Sequence, residues 1–312
     1  MKVINTSYPI KEPLTKSKVV LALGFFDGVH IGHQKLIKEA KAIADEKDLP
    51  LMVMTFDRHP KEVYAGVKNF DYLTSPSEKA YEMAKIGVNY LVMIKFTKEF
   101  SKLPPQVFVD DIIVKLRADT VVAGFDYSYG PKDVANMENL PKFAKGRFEI
   151  KVIPKQIFEG KKIGSTEIRM AIKDGNLLLA EELLGHPYAT TGKVVHGFRN
   201  GHKLGYPTAN LQLEAPKVLP KIGVYATMTR VGDTWYESMT SVGYNVMFND
   251  EKQIFIESNL FDFDQDIYGQ EITIAWYKYL RDEMKFDDLD GLIDQLAKDR
   301  KATEAYFDQQ AE

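Results

Sequence analysis

Apolar residues fall in short unbroken runs over roughly the first 185 positions, and in closely spaced strand-length stretches after them. A continuous apolar run of strand length, such as Val19-Val20-Leu21-Ala22-Leu23, reads as a strand buried on both faces. This pattern predicts strands at 18–23, 50–56, 89–95, 119–124 and 148–153, with helices near 33–47, 77–86, 104–116 and 133–145 between them. Strands alternating with helices make a parallel sheet covered on both sides. Ligands of such sheets lie beyond the carboxyl ends of the strands. Gly24, Thr55-Phe56 and Gly124 all stand at such ends.

Two short helices, 165–174 and 176–184, are expected next, separated by Asp174-Gly175. Around Gly185-His186-Pro187 the pattern changes. Strands are predicted at 189–196, 223–231, 234–242, 253–262 and 270–279, without helices between them. That spacing argues for an antiparallel barrel or sandwich. Helical periodicity returns from Asp287 to about Phe307, through Leu289, Leu292, Ile293 and Leu296. The reading is α/β with two domains, 1–186 and 187–312, and a chain of 312 residues is long enough for two cores.

Composition narrows the class. A net charge of −3 points to no nucleic-acid or membrane partner. The absence of cysteine excludes disulfides and thiolate metal sites and fits a reducing compartment. Met1-Lys2-Val3-Ile4-Asn5 opens no signal-peptide pattern, and the apolar run near 19–26 is too short to span a bilayer. A soluble, cytoplasmic protein is expected.

The first strand leads into Gly24-Phe25-Phe26-Asp27-Gly28-Val29-His30-Ile31-Gly32-His33, and a helix follows from about Gln34. A strand, a glycine-rich turn and a helix start gather free N–H groups and the positive end of a helix dipole, where phosphate binds. His30 and His33 share a face at that start, and Gly32 lets backbone approach a ligand. This suits nucleotidyl transfer, in which the α-phosphate is attacked and pyrophosphate leaves; catalysis there is mainly positioning and charge stabilisation. A lone histidine near a helix start is usually only a cap. The setting after Gly-Phe-Phe-Asp-Gly-Val gives the motif its specificity.

Other segments carry weaker signals. In Gly164-Ser165-Thr166-Glu167-Ile168-Arg169, hydroxyls, free N–H groups and the Arg169 guanidinium can converge on a leaving pyrophosphate, although a simple helix cap reads the same way. Gly124-Phe125-Asp126-Tyr127-Ser128-Tyr129-Gly130 joins a carboxylate to two rings that can stack on a planar ligand. Thr55-Phe56-Asp57-Arg58-His59-Pro60 lies at another strand end and is otherwise a solvated turn.

In the second half, Gly192, Gly197, Gly201 and Gly205 give four glycines in fourteen residues, a backbone that can wrap phosphates. The segment lacks the Gly-Lys-Ser/Thr ending of a P-loop. Thr208 and Asn210 offer hard oxygen donors suited to Mg²⁺ shared with a nucleotide. Glu257, among the apolar neighbours of a predicted strand, can deprotonate a hydroxyl, or is simply a solvent-facing strand residue.

These motifs resemble those of the prokaryotic bifunctional riboflavin kinase/FMN adenylyltransferase (FAD synthetase) family. In the first half the resemblance rests on 24–33, 55–60, Leu73-Thr74-Ser75-Pro76-Ser77-Glu78-Lys79, 124–130 and 165–169. In the second it rests on Gly205-Tyr206-Pro207-Thr208-Ala209-Asn210-Leu211, Gly223-Val224-Tyr225-Ala226, Asp262-Phe263, Tyr268-Gly269, Leu280-Arg281 and Lys285-Phe286. It implies a Rossmann-like nucleotidyltransferase domain followed by a six-stranded antiparallel barrel with a C-terminal helix. It implies ATP, FMN and riboflavin as substrates and Mg²⁺ as cofactor. His30 and His33 would bind the ATP phosphates, with Gly24, Phe25, Asp27, Gly28, Gly32 and Asp126 against the nucleotide. Ser165, Thr166 and Arg169 would hold the β- and γ-phosphates, and Phe56, Asp57, Pro60, Tyr127 and Tyr129 the flavin. In the barrel, Gly197, Gly201 and Gly205 would meet phosphate, Thr208 and Asn210 would coordinate Mg²⁺, and Glu257 would be the base for the ribityl 5′-hydroxyl.

Departures from the family pattern cluster in the second half. His202 stands where Arg is usual, and Ser241-Val242-Gly243-Tyr244-Asn245-Val246-Met247-Phe248 replaces Asn-Ile-Gly-x-Arg-Pro-Thr-Phe. Asn259 replaces a residue that is often His; in the first half, Gly164 replaces a Ser and Arg58 a Pro. Charged hydrogen bonds are worth about 1.5–3 kcal/mol each, so two lost guanidiniums predict a weakened or lost kinase beside an intact adenylyltransferase. Two alternatives stay open: another His-x-Gly-His adenylyltransferase, acting for example on nicotinamide mononucleotide or phosphopantetheine, and a flavin-binding regulatory protein.

Overall fold

The computed structural model describes residues 1–67, 70–154, 157–158, 161–197, 205–213, 215–246, 252–286 and 288–311. Contacts group the chain into two units, Met1–Phe70 with Pro76–Gly164, and Asp71–Ser75 with Ser165–Glu312.

The first unit runs β1 (Lys2–Thr6), β2 (Val19–Leu23), α1 (Ile31–Glu46), β3 (Leu51–Phe56), α2 (Pro60–Tyr64), α3 (Pro76–Lys85), β4 (Tyr90–Ile94) and α4 (Pro105–Phe108), which continues as a π-helix over Val109–Val114. Then come β5 (Ala118–Gly124), α5 (Leu140–Ala144), β6 (Glu149–Ile153) and a small hairpin of β7 (Ile157–Phe158) and β8 (Lys161–Lys162). Six strands pair in the order β1-β4-β3-β2-β5-β6, all in parallel. Every residue of β2 and β3 is buried, as expected for strands covered on both faces. The chain winds from β2 through β3 to β4, then returns to the other side of β2 with β5, so the strand order switches beside β2. Such a switch opens a crevice at the carboxyl ends. Phe56 and Gly124 end β3 and β5 there, and Gly24 directly follows β2, the strand between them.

The sequence reading misses one strand of this sheet and overextends one helix. β1 escapes the apolar-run rule because it is an edge strand with three of its five residues exposed. The helix expected over 133–145 is only Leu140–Ala144. Before it, the Val134 and Ala135 N–H groups both donate to the Pro131 carbonyl, and Asn136 Oδ1 accepts from the Asn139 N–H at 2.9 Å. Asparagine side chains compete with helix in this way.

The second unit holds α6 (Ser165–Lys173), α7 (Leu177–Leu184), β9 (Tyr188–Val195), β10 (Ala209–Leu213), β11 (Gly223–Val231), β12 (Thr234–Val246), β13 (Lys252–Leu260), β14 (Glu271–Arg281) and α8 (Leu289–Ala311). Its six strands close into an antiparallel barrel in the order β10-β13-β12-β11-β14-β9. β10, unforeseen among glycines and prolines, is the strand that completes closure, and it carries Asn210. Inside, Thr227, Thr229, Ser238, Thr240 and Ser258 are fully buried and hydrogen-bonded to one another at 2.7–3.0 Å.

Asp71–Ser75 precedes α3 in sequence yet packs within the second unit. Tyr72 bridges Lys217, the Val218 N–H donates to the Tyr72 carbonyl at 2.9 Å, and buried Lys217 donates its Nζ to the Leu73 carbonyl at 2.9 Å.

Candidate active sites

The turn between β2 and α1 is unusually bent for its composition. Phe26, Gly28 and Val29 have φ of +55°, +86° and +42°, a region that a β-branched residue rarely enters. At Gly24, a Cβ would fall 2.6 Å from the Phe26 ring, so only glycine fits there. Backbone strain of this kind persists where surrounding structure enforces it, and it clusters at functional sites.

His30 is the N-cap of α1, its Nδ1 accepting from the His33 N–H at 3.3 Å. The two rings stack with centroids 3.5 Å apart and planes 18° from parallel. The shared face expected from their spacing is therefore real. His33 Nδ1 is buried and has no hydrogen-bond partner among the described residues. Burial, then the nearby His30 and Lys79, hold the His33 imidazole well below its ordinary pKa, so it is neutral. A neutral imidazole next to the free N–H groups of a helix start is a donor array for phosphate oxygens.

Around this pair, Asp27 and His30 are buried. The Phe25 carbonyl accepts from Thr55 Oγ1 and from Lys79 Nζ, both at 2.8 Å. Phe25 meets His59 edge-on, and His59 stacks on Phe70 at 4.3 Å. This ring stack was not read from the sequence, because its members are scattered between positions 25 and 70. His59 also caps α2, which begins at Pro60, by accepting from the Lys61 N–H.

The remaining first-unit candidates divide. Asp126 is exposed beside Gly124 at the end of β5, and Tyr127 is half-buried. Tyr129 packs in the core, stacked on Phe108 at 5.2 Å, and Phe56 is buried against Phe96 and Phe100. Asp57 accepts from the Phe96 N–H at 2.8 Å and pairs with Arg58. In the second unit, Ser165 and Thr166 open α6; Arg169 donates to the Asp71 and Ser165 carbonyls, both at 3.0 Å.

The barrel site is built by strand register. Asn210 on β10 lies opposite Glu257 on β13. Thr208, just before β10, has its Oγ1 3.5 Å from a Glu257 carboxylate oxygen. Asn210 Oδ1 is buried with no partner among the described residues. Gly197 is pressed onto the same side chain; a Cβ there would fall 2.4–2.6 Å from the Asn210 amide atoms. Gly205 takes φ +79°, and Gly201 and His202 lie outside the described residues, as does the Asn245 side chain. Burial raises the Glu257 pKa and the Thr208 hydrogen bond partly offsets this, which suits a base working near neutral pH.

Two cavities meet at Thr208. One, about 590 Å³, is lined by Glu257, Met239, Ser241, Arg281 and Phe286; the other, about 390 Å³, by Pro207, Phe263, Asp266 and Tyr268. Asn259 donates its Nδ2 to the Pro207 carbonyl at 2.7 Å, which holds the Pro207-Thr208 segment in place. The departure at Asn259 thus has a structural task of its own.

The sequence matches the FAD synthetase family model over residues 12–167 and the riboflavin kinase family model over residues 184–307. It is 47% identical to the bifunctional riboflavin kinase/FMN adenylyltransferase of Listeria monocytogenes and 40% identical to that of Bacillus subtilis, in each case over 98% of both chains. A solved chain from Streptococcus pneumoniae, described as a macrolide-efflux protein, shares 39% identity with a TM-score of 0.86 over 96% of this chain and 98% of that one. Among the described residues here, no helix is long and apolar enough to cross a membrane. With the parallel sheet, the closed six-stranded barrel and both residue clusters in place, the chain belongs to the bifunctional riboflavin kinase/FMN adenylyltransferase family.

Proposed function

We propose that this chain makes FAD in two steps, phosphorylating riboflavin in the barrel and adenylylating FMN at the β2–α1 turn. The observation that carries it is the stacked His30–His33 pair at a helix start beyond the carboxyl ends of a parallel sheet. In adenylyl transfer, an FMN phosphate oxygen attacks the α-phosphorus of ATP and pyrophosphate departs. His30, His33 and the N–H groups of the turn meet the charge that develops on the α-phosphate. Asp126 serves the nucleotide; Ser165, Thr166 and Arg169 hold the outer phosphates. Asp57, Pro60 and Tyr127 lie nearer the flavin, with Phe56 and Tyr129 shaping its site from the core.

In the kinase step, the riboflavin 5′-hydroxyl attacks the γ-phosphorus of ATP, Glu257 takes the hydroxyl proton, and ADP leaves. The position of Thr208 between two cavities supports placing flavin in the one that holds Glu257 and nucleotide in the other. The unpartnered Asn210 Oδ1 and the Thr208 hydroxyl fit Mg²⁺, which prefers oxygen donors. When bound, Mg²⁺ neutralises phosphate charge. A cytoplasmic setting supplies the ATP that both steps need, and the two activities divide near 186/187.

Weakening of the kinase rests on His202, Asn245 and the Val246-Met247 replacement, whereas the Thr208–Asn210–Glu257 cluster favours an active site. Incubation with ATP and Mg²⁺ plus either riboflavin or FMN, with chromatographic separation of flavins, tests both steps. FMN left unconverted would refute the adenylyl-transfer reading. Riboflavin consumed far more slowly than FMN would restore the importance of the two replaced arginines.

Gly197→Ala gives a test of the metal site. Its Cβ would displace the Asn210 amide, so half-saturating Mg²⁺ for riboflavin phosphorylation should rise about 10-fold, equivalent to ~1.4 kcal/mol. A magnesium titration of the two steps checks this, with FAD formation from FMN expected to be unchanged.

A further inference from the structure

Lys79 carries a buried charge that neither reaction step has yet used. It lies on α3, within the Leu73–Lys79 motif, and is 4% exposed. Its Nζ donates to the Phe25 carbonyl and stands 4.3 Å from the centroid of the Phe25 ring. Burying an ammonium costs several kcal/mol. A methionine would fill the same space without that cost, so the charge calls for a role beyond packing.

The groups around it indicate which. Asp27, buried in the same turn, attracts the ammonium; His33, stacked on His30 at the start of α1, feels its charge; Glu78 is buried next to it on α3. The Phe25 carbonyl is gripped from two elements at once, by Lys79 on α3 and Thr55 on β3. A trans peptide sends its N–H opposite to its C=O. Holding the Phe25 carbonyl therefore also fixes the direction of the Phe26 N–H, at the first of the left-handed residues in the turn.

We propose that Lys79 is a positioning residue for adenylyl transfer: with Thr55 it fixes the strained Gly24–Val29 turn through the Phe25 carbonyl, and its charge, felt at His33, biases that turn toward an anionic phosphate. Burial pulls the Lys79 ammonium down to about 8, with Asp27 opposing the shift. The grip therefore weakens as the pH rises past that value, when Nζ loses its proton.

The test uses the full-length protein, FMN and ATP with Mg²⁺, and kcat/KM measured between about pH 7 and 9.5. The FMN phosphate, with a second pKa near ~6, stays doubly ionised throughout this range. The inference rests on the adenylyl-transfer reading, and FAD formation by the wild type in the same assay keeps the two separable. Lys79→Met should lower kcat/KM for FAD formation by about 10²-fold, with riboflavin phosphorylation and the melting temperature retained. The alkaline fall of the wild type should be missing from its residual rate. FAD formation within about twofold of wild type, or an unaltered alkaline limb, would overturn the proposal. If Lys79→Met fails to fold, Lys79→Arg decides: its permanent charge should carry the alkaline limb to higher pH, and a limb that stays in place would overturn the proposal.

Discussion

Replacing His33 by Ala should lower FAD formation from FMN and ATP by about 10²–10³-fold, the usual loss on removing one donor from a transition-state charge site. Riboflavin phosphorylation in the same preparation should be unaffected. His33 makes a cleaner probe than His30, because His30 also caps α1 and loss of a cap costs about 0.5–2 kcal/mol. His30→Asn is the matching variant, since it keeps a capping acceptor and removes the ring. The pH dependence of stability supplies a second readout. The pKa of His33 lies well below 6.5 in the folded protein, so the unfolded chain takes up a proton first as the pH falls through that value. Stability from this residue is complete above about pH 6.5 and declines below it; His33→Ala should flatten that slope in calorimetry. Near-normal FAD formation in both variants would remove the pair from the mechanism.

Glu257→Gln should lower riboflavin phosphorylation by about 10²–10⁴-fold, the contribution typical of a positioned general base. Conversion of FMN to FAD should continue, because that step draws on other residues. Glutamine keeps the shape of the side chain and an acceptor for Thr208, so the barrel should melt as before. A base must be ionised to act, so the wild-type kinase rate should fall as acid protonates Glu257, at a pH above the ordinary carboxylate value of 4.5 because the group is buried. That acid limb should be missing from the residual activity of the variant. Equal kinase rates in the two proteins would reduce Glu257 to a strand residue.

The His30–His33 pair of the β2–α1 site could be read from the sequence because the determinants of that pair are local. A strand, its glycines and the two histidines occupy one continuous stretch, and helix geometry alone brings His30 and His33 together. What could not be read depends on pairing between distant segments. The shared boundary of two cavities at Thr208, the registration of Asn210 opposite Glu257 and the clamp on the Phe25 carbonyl by Thr55 and Lys79 each need the folded sheet or barrel. Composition also misleads in places. Glycines and prolines before Ala209 disguise the strand that closes the barrel, and the tyrosine of Tyr129, suggestive of ring stacking with a ligand, is spent on the core. Asn259 looks like erosion when compared with a family pattern, yet its amide anchors the Pro207 carbonyl.

The excursion of Asp71–Ser75 has a consequence for dividing the protein. Cutting one peptide bond, at 186/187 or elsewhere, would not separate the two structural units cleanly. Scission between Gly164 and Ser165 would leave the pentapeptide on the amino-terminal fragment and take the Leu73 carbonyl away from the buried Lys217 ammonium. A hydrogen bond to a charged group is worth about 1.5–3 kcal/mol. A carboxyl-terminal fragment produced alone would therefore start with a built-in defect, and a peptide spanning Asp71–Ser75, supplied in trans, would be its natural remedy. Gene fission at that junction would be penalised for the same reason, so the excursion acts as a stitch that favours inheritance of both activities on one chain.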